Sequence, residues 1–575
     1  MTAQWRFLKE YKVLIIIILL SSLLRFVGLD KIPTAITGDE LLYAVTAKAV
    51  YLTGHDISGK WNPLSIFVFQ YPPGEHQAEL PYFIHLAFSG PFPFSLFMAK
   101  LPFALLSMGI VILIYKIAGY LFDKETAEVA GLIAAINPWL IVMGRTAYES
   151  TPSTFFYLLS LYLLLKLRSW NVLWSLIPLL LAFYSYIGTK LIFIPFTLIA
   201  LFLTYEINAH RFKKIYITEF AICLCFVIGY LLLLFTSSGT SRISELVFPN
   251  SLIIKNLVDA TRTATVQTPF LSLFVNKYTV YIQLLMEKLM RIFSPSYLFI
   301  EGDQFFLPVK QSFFYAIDFI FIILGSLYLF AQRKKTLLAL ASFILIGTFP
   351  HIFHETQGDF SGHLALMFPF LILLIAVGIS EIISSMPKMY RAATAITIIL
   401  LYCFSLLGFS VAYFYQYPLV GAGDFHMRVL SRYLSLNRST AKQITVYTTT
   451  SSDLLKKYIF YTNSMNKQTM PELRRIYLHE SNTEFQNIRF VSCDNTIKSN
   501  NNDNLFIYDV KCGMNIASPH IQISRLTDAG GIYEIYNDTL CSKYGLNHYP
   551  MGVKTSDFSV ENLSTTRFCK IYFNN

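Results

Sequence analysis

Charged side chains are scarce in this sequence, and their scarcity excludes an ordinary soluble protein. Only 14% of the 575 residues are Asp, Glu, Lys or Arg, whereas 54% are hydrophobic. A soluble chain of this length carries many more charged residues on its surface. The composition therefore predicts a polytopic membrane protein.

Cysteine is also infrequent, and the absence of a Cys-x-x-Cys motif argues against a structural zinc site. Three of the seven cysteines lie in predicted membrane helices. The other four lie in the C-terminal tail, at Cys493, Cys512, Cys541 and Cys569. Outside the cytoplasm, four cysteines permit two disulfides, with three possible pairings.

Histidines gather in segments predicted to lie outside the cytoplasm, but without the close spacing of a helical metal site. They are His55, His76, His85, His351, His354 and His363. Imidazole binds divalent ions, and it also hydrogen-bonds sugars and phosphates. We expect no required cofactor or metal, with a divalent ion as the open alternative.

Apolar runs long enough to cross a bilayer recur along the first 413 residues. The predicted spans cover residues 13–29, 95–120, 127–143, 152–167, 172–188, 190–206, 215–236, 311–331, 336–350, 363–380 and 392–413. The sequence thus predicts an α-helical polytopic membrane protein with about eleven transmembrane helices.

Basic residues fix the predicted orientation, because cytoplasmic loops are enriched in Lys and Arg. Arg6, Lys9 and Lys12 precede the first span, which places the N-terminus in the cytoplasm. An odd number of spans then leaves two long loops, 30–94 and 237–310, and the tail outside. This topology accounts for most of the net charge of +11, so no nucleic-acid partner is predicted.

The tail differs in character from the rest of the chain. Residues 443–449, 488–493, 505–510 and 532–536 have the pattern of short strands, and 424–436 and 452–460 have helical patterns. We therefore predict a transmembrane domain at 1–413 and a small extracytoplasmic α/β domain at 414–575, in a protein of the cell membrane.

Two adjacent carboxylates, Asp39 and Glu40, follow the first span at the point where the chain emerges outside. Helical patterns at 40–52 and 79–88 predict two helices on the membrane surface, and the turn-rich stretch between them is expected to fold back over the membrane. Carboxylates at such a position indicate chemistry at the membrane surface.

Four short motifs occur in order: Gly38-Asp39-Glu40, Tyr71-Pro72-Pro73-Gly74, Ala99-Lys100-Leu101-Pro102 and Arg145-Thr146-Ala147-Tyr148-Glu149. In this order they resemble the GT-C class of membrane glycosyltransferases, in particular the protein O-mannosyltransferase and aminoarabinose transferase group. The chain lacks the Trp-Trp-Asp triplet of oligosaccharyltransferases, so single-sugar transfer is the better interpretation.

The resemblance implies a polyprenyl-phosphate sugar donor and an acceptor hydroxyl on a protein, lipid or glycan at the outer face. By matching position, Asp39 is the predicted base of an inverting single displacement, since a carboxylate within hydrogen-bond reach removes the acceptor proton. The other two candidate catalytic residues are Glu40, which lies beside it, and Glu149, which matches the second acidic position of the family.

The remaining predicted site residues bind the donor or the acceptor. Arg145 and Lys190 are predicted to stabilise the leaving phosphate, because both stand at outer ends of spans where the positive-inside tendency does not explain them. The candidate substrate-binding residues are Tyr71, Glu75, His76 and His363.

Each prediction has a structural alternative. Asp39 and Glu40 also suit the N-terminus of a helix capped by Thr37. Arg145 and Glu149 have the spacing of an ion pair on one helical face. At the level of function, the alternatives are a transporter of a lipid-linked glycan and a catalytically inactive glycosyltransferase-like scaffold.

Overall fold

The computed structural model is mostly helical and ends in a small sheet domain. It describes residues 11–59, 78–207, 213–236, 251–303, 309, 311–354, 360–420, 424–478, 483–493, 504–513, 521–528, 530–544 and 552–574.

The first half of the chain forms ten helices within the described residues. They are α1 (Lys12–Phe26), α2 (Gly38–Thr53), α3 (Leu80–Phe88), α4 (Leu96–Leu121), α5 (Lys124–Ile136), α6 (Pro138–Gly144), α7 (Ser150–Lys166), α8 (Leu176–Ser185), α9 (Phe193–Ile207) and α10 (Lys213–Thr236). Short 3-10 helices precede and follow α8, at Ser169–Ser175 and Gly188–Lys190.

The second half of the helical part begins with the described portion of the second long loop. Its helices are α11 (Ser251–Thr263), α12 (Leu271–Phe274), α13 (Lys277–Ile292), α14 (Asp318–Gln332), α15 (Lys334–Gly347), α16 (Phe349–Ile352), α17 (Met367–Ser385), α18 (Lys388–Val411) and α19 (Tyr417–Val420). Short π-helical turns lie at Tyr297–Glu301 and Ala412–Gln416, and a 3-10 turn lies at Ser361–Leu364.

Five helices among the described residues are long and apolar enough to cross a membrane, and α5 with α6 would make a sixth. The pair bends by 57° between Ile136 and Pro138, where the Asn137 side chain accepts a hydrogen bond from the backbone N–H of Leu140. Shorter apolar helices occupy three further predicted spans, at Ser169–Ser185, Phe193–Ile207 and Asp318–Gln332. The number eleven remains a prediction.

Glycine allows the closest helix contact of the helical part, between α14 and α17. A Cβ atom on Gly325 would lie 2.1 Å from the carbonyl oxygen of Leu374, and one on Gly378 would lie 2.1 Å from that of Phe321. Small residues at facing positions let two helix backbones approach closely, as is common in membrane bundles.

The tail folds around one seven-stranded sheet. Its strands are β1 (Gln443–Thr448), β2 (Thr483–Phe485), β3 (Ile488–Ser492), β4 (Asn504–Asp509), β5 (Ile521–Ser524), β6 (Gly531–Tyr536) and β7 (Phe573–Asn574), in the order β2-β3-β1-β4-β6-β5-β7. Strand β1 pairs in parallel with β3 and β4, and the remaining pairs are antiparallel.

Four helices belong to the same domain: α20 (Phe425–Asn437), α21 (Ser451–Tyr461), α22 (Met470–Leu478) and α23 (Thr565–Tyr572). The predicted small α/β domain is therefore present, although β2, β5 and β7 were not predicted. Of the three possible disulfide pairings, the structure has Cys493–Cys512 and Cys541–Cys569.

The first outer loop and the tail share one hydrophobic core. The apolar residues of α2, including Leu41, Val45 and Ala49, pack in the same cluster as Val429 of α20 and Leu454 of α21. The expectation that α2 lies on the membrane surface is wrong, because every residue from position 40 to 50 is buried.

Polar contacts join the same two parts. The Arg428 guanidinium donates to the Thr34 carbonyl at 2.5 Å, and the Ile36 N–H donates to the Tyr461 hydroxyl at 3.0 Å. The first loop therefore enters α2 already held by the tail domain.

Candidate active site

The carboxylates of Asp39 and Glu40 diverge at the first turn of α2. Asp39 is exposed, whereas Glu40 is 1% exposed. One Glu40 oxygen accepts hydrogen bonds from the Thr37 N–H at 2.8 Å and the Thr37 hydroxyl at 3.0 Å, and the other accepts one from the Ala147 N–H. The bond from the Thr37 N–H is the acidic half of a capping box, which satisfies a donor at the start of the helix. The contacts favour a structural role for Glu40.

A buried cation, Lys100, lies beneath this helix start. Its ammonium donates to the Pro33 carbonyl at 2.7 Å, and its side chain is fully buried. Burial raises the pKa of Glu40, and the charge of Lys100, together with the hydrogen bonds to Glu40, offsets part of that rise. Lys100 belongs to the motif Ala99-Lys100-Leu101-Pro102, but no role was predicted for it. Its position in the first turns of an apolar span is the signal that could have identified it.

Glu149 is held by a tyrosine of the first loop. The Tyr43 hydroxyl donates to a Glu149 carboxylate oxygen and accepts a hydrogen bond from the Ala78 N–H at 3.0 Å. Burial, with the nearby Glu149 charge, raises the pKa of Tyr43 well above its ordinary value, so the hydroxyl remains protonated and able to donate.

Asp39 and Glu149 act electrostatically on the same tyrosine. Both carboxylates interact electrostatically with Tyr186, a buried residue that follows α8. Asp39 and Glu40 also interact with Tyr148, which is hydrogen-bonded to Thr37. Two of the predicted acidic residues are thus brought to one side of the protein. They lie around the buried side chains of Tyr148 and Tyr186, which form the tyrosine wall.

The contacts of Arg145 do not support its prediction as a phosphate ligand. Its guanidinium is fully buried and donates to the carbonyls of Leu24 and Arg25, both at 3.1 Å, and of Ile32 at 2.9 Å. The ring of Phe414 covers it, with its centroid 5.0 Å from the guanidinium carbon. Because the chain ends α1 there and turns toward the first loop, Arg145 satisfies carbonyls that the helix leaves unpaired.

The spacing of Arg145 and Glu149 suggested, as an alternative to functional roles, an ion pair on one helical face. Helix α6 ends at Gly144 and α7 begins at Ser150, so the two residues lie in the connection and do not share a helical face. The alternative of an ion pair on one helix is therefore wrong. Glu149 instead contacts Tyr43, which belongs to α2.

Lys190 lies in a cage of aromatic rings beside a second carboxylate. Its ammonium lies 3.1 and 3.2 Å from the two oxygens of Glu79 and 2.9 Å from the Tyr230 hydroxyl. It also stands over the rings of Phe183, Tyr184 and Tyr230. Glu79 is nearly buried and was missed as a site residue, because only its place at the start of a helical pattern distinguished it.

His363 joins a cluster of basic side chains next to the tyrosine wall. Its ring lies 4.4 Å from that of His354 and 6.1 Å from those of His351 and Tyr186, between centroids. The Lys288 ammonium donates to the His354 carbonyl at 2.6 Å. Burial, together with the nearby His354, His351 and Lys288, disfavours a positive charge on His363, so its imidazole joins the cluster as a neutral ring.

Phe360 connects this basic cluster to the carboxylates. Its ring is 4.7 Å from His363 and 5.6 Å from Tyr148, measured between centroids. No group of three potential metal ligands occurs in the part of the chain that the structure describes. The predicted substrate-binding residues Tyr71, Glu75 and His76 lie outside the described residues.

Comparison with known families confirms the predicted resemblance over part of the chain. Residues 80–233 match the sequence family described as dolichyl-phosphate-mannose-protein mannosyltransferase. The matched region includes Lys100, Glu149 and Lys190, but it begins after Asp39. No curated protein matches the chain.

Solved structures give weaker likenesses. The archaeal oligosaccharyltransferase AglB from Archaeoglobus fulgidus, in complex with an inhibitory peptide and a dolichol-phosphate, has 12% identity and a TM-score of 0.47, covering 88% of this chain and 70% of that one. ArnT from Cupriavidus metallidurans in the apo state has 11% identity and a TM-score of 0.48, covering 92% and 98%. With scores under 0.5, these likenesses establish neither the activity nor the substrates of this chain.

Proposed function

We propose that this chain is a membrane glycosyltransferase that moves a single sugar from a polyprenyl-phosphate donor to an acceptor hydroxyl, with inversion. The observation that carries the proposal is that exposed Asp39 and tyrosine-held Glu149 both interact electrostatically with Tyr186, whose ring lies near the cluster of Lys288, His354 and His363. The family match over residues 80–233 supports the class of donor.

Asp39 is the base in this proposal. It takes the proton of the acceptor hydroxyl while the acceptor oxygen forms a bond to the anomeric carbon, and the bond from that carbon to the donor phosphate oxygen breaks. The electron pair of the broken bond stays on the phosphate. Glu40 acts through the helix, since its capping bonds fix the first turn that carries Asp39.

Glu149 binds an acceptor or sugar hydroxyl rather than acting as a second base. Tyr43 uses its proton to hold one Glu149 oxygen, which fixes the carboxylate in one orientation. A fixed carboxylate costs no reorganisation when the substrate binds, and such preorganisation is a large part of enzymatic rate enhancement.

The leaving phosphate is stabilised by the cluster of Lys288, His354 and His363. The Lys288 ammonium supplies positive charge and the His354 and His363 imidazoles supply hydrogen bonds, and Phe360 links the cluster to Tyr148 of the tyrosine wall. Lys190 is already paired with Glu79, and Arg145 is committed to backbone carbonyls. The three-residue cluster therefore replaces those two residues in the proposal.

The finer topology belongs to the same proposal. In this proposal the protein lies in the cell membrane, with eleven spans, a cytoplasmic N-terminus and domains at 1–413 and 414–575. Asp39 and the tail domain are then outside the cytoplasm. The lipid donor then reaches the site from the outer leaflet. The sugar and the acceptor are left open.

The test is sugar transfer by the purified protein in proteoliposomes, with a panel of radiolabelled polyprenyl-phosphate sugars. Asp39→Asn should lower turnover by about 100-fold or more, which is the usual contribution of a general base. Asp30→Asn is the matched control, because Asp30 is an exposed carboxylate of the same loop. Equal turnover of wild type and Asp39→Asn would refute the assignment. Donor lipid crossing the bilayer without transfer would instead support the transporter.

A further inference from the structure

Helix α13 exposes a row of large apolar side chains although it belongs to a loop predicted to lie outside the membrane. The row consists of Tyr278, Ile282, Met286 and Met290, which are 70%, 56%, 54% and 72% exposed. Residues four apart form one inclined row on a helix surface. Apolar surface of this size and regularity marks an interaction site rather than chance exposure.

The rows of side chains on either side of this apolar row differ in their surroundings. On one side, Leu285 and Leu289 pack against the core of the helical part. On the other side, Gln283, Glu287 and Arg291 are exposed. The apolar row therefore lies between a protein-covered row and a polar row, as in a helix that rests at a boundary between water and an apolar phase.

The contacts of α13 locate the helix relative to a candidate membrane span. The helix packs against α16, which ends the candidate span Lys334–Ile352. Its Lys288 ammonium contacts the His354 carbonyl, two residues beyond that span. Helix α13 thus lies where a membrane-spanning segment leaves the hydrocarbon region.

Charge and continuity favour lipid as the occupant. The helix carries Lys277, Lys288 and Arg291 against a single acidic residue, Glu287, and an excess of cations favours the anionic groups of lipid headgroups. Preceding α12 extends the apolar surface, with Phe270, Leu273 and Phe274 exposed by two thirds or more.

We propose that α13 is an interfacial helix, whose row from Tyr278 to Met290 lies among the acyl chains of the outer-leaflet phospholipids. The proposal does not depend on the glycosyltransferase activity. Its mechanical consequence is that lipid contact fixes the depth of Lys288 within the basic cluster.

The test is spin labelling of the full chain in phosphatidylcholine nanodiscs. The exposed cysteines Cys225 and Cys403 are first replaced by serine, and single cysteines are then introduced as Met286→Cys or Gln283→Cys. The label at 286 should collide with oxygen several-fold more than with a water-soluble nickel complex, and the label at 283 should show the reverse. Because the two positions are neighbouring rows of one helix, they are matched controls for each other.

Three results would overturn the proposal. The first is a label at 286 that collides more with the nickel complex than with oxygen. The second is a label at 286 that neither probe reaches, which indicates that another protein covers the row. The third is collision with oxygen that appears only when a polyprenyl phosphate is added. If Met286→Cys fails to fold, Ile282→Cys in the same row replaces it. Loss of transfer activity has no bearing on these measurements, so failure of the proposed function would be recognised separately.

Discussion

Replacing Arg428 with methionine tests whether the tail domain is anchored to the first loop by polar contacts. Arg428 is buried, and its Nε and Nη2 atoms donate to the two Glu561 oxygens at 2.8 and 2.5 Å, while Nη1 donates to the Thr34 carbonyl. Methionine keeps much of the apolar volume but removes all three bonds. The Thr34 carbonyl and the Glu561 carboxylate then lose their partner.

The expected cost is about 2–3 kcal/mol, because truncating one member of a buried charged pair costs about 2–5 kcal/mol and Glu561, one third exposed, recovers some solvation. A loss of that size raises the fraction of open molecules by about 30- to 140-fold. Hydrogen exchange of α20 amides in nanodiscs measures it directly, because local opening governs their exchange.

Arg567→Met is the matched control. Arg567 also makes a two-bond contact with a carboxylate, Asp557, but it is 40% exposed and lies wholly within the tail domain. Its loss should leave α20 exchange nearly unchanged, because the contact does not reach the first loop. Equal acceleration of α20 exchange in both variants, or no acceleration in Arg428→Met, would refute the reasoning.

The same contact predicts an acid dependence. Burial alone would raise the pKa of Glu561, but the charge and hydrogen bonds of Arg428 outweigh it and hold that pKa below its usual range. A lowered folded-state pKa contributes stability that is present above the unfolded-state pKa of about 4.3 and is lost below it. The protection factors of the α20 amides, which remove the intrinsic pH dependence of exchange, should therefore fall as the pH drops below about 4 in the wild type, more than in Arg428→Met.

Three further predictions concern the site and the tail. Glu40→Gln should destabilise the protein by about 1–3 kcal/mol through lost charge-assisted bonds, against about 0.5 kcal/mol or less for exposed Asp39→Asn, in thermal unfolding; similar shifts would contradict the structural role. Tyr43→Phe should lower kcat about tenfold, because a hydrogen bond of about 1–1.5 kcal/mol to Glu149 is lost; unchanged turnover would dissociate Glu149 from catalysis. Replacing Cys541 and Cys569 by alanine should lower the free energy of unfolding of the tail by about 3 kcal/mol, measured by urea unfolding, since that disulfide closes a loop of 28 residues. Equal stability of the variant and the wild type would contradict this contribution of the disulfide.

Local patterns were enough to predict the elements that depend on local chemistry. The predicted helix at 40–52 became α2, and the predicted helix at 79–88 became α3, because apolar periodicity and turn residues bound both segments. Four strands of the tail were found in the same way. Short edge strands such as β2 and β7 escaped prediction, since two or three residues carry no period.

Site residues were harder to predict because their roles depend on distant partners. The sequence placed Asp39 and Glu40 side by side, but only the fold brings the Ala147 N–H to Glu40 and leaves Asp39 exposed. The alternative of an Arg145–Glu149 ion pair required one helix, whereas both residues lie in the connection between Gly144 and Ser150. The spacing of two residues does not by itself reveal where a helix ends.

The shared core of the first loop and the tail bears on how the site is built. Helix α2 carries Asp39, and its buried face packs against α21 of the tail as well as α3. A helix of 16 residues whose face is completed by a domain nearly 400 residues later cannot be stable before that domain has folded. The tail therefore belongs to the architecture of the active site, and its removal should abolish turnover even though none of its residues is assigned to the chemistry.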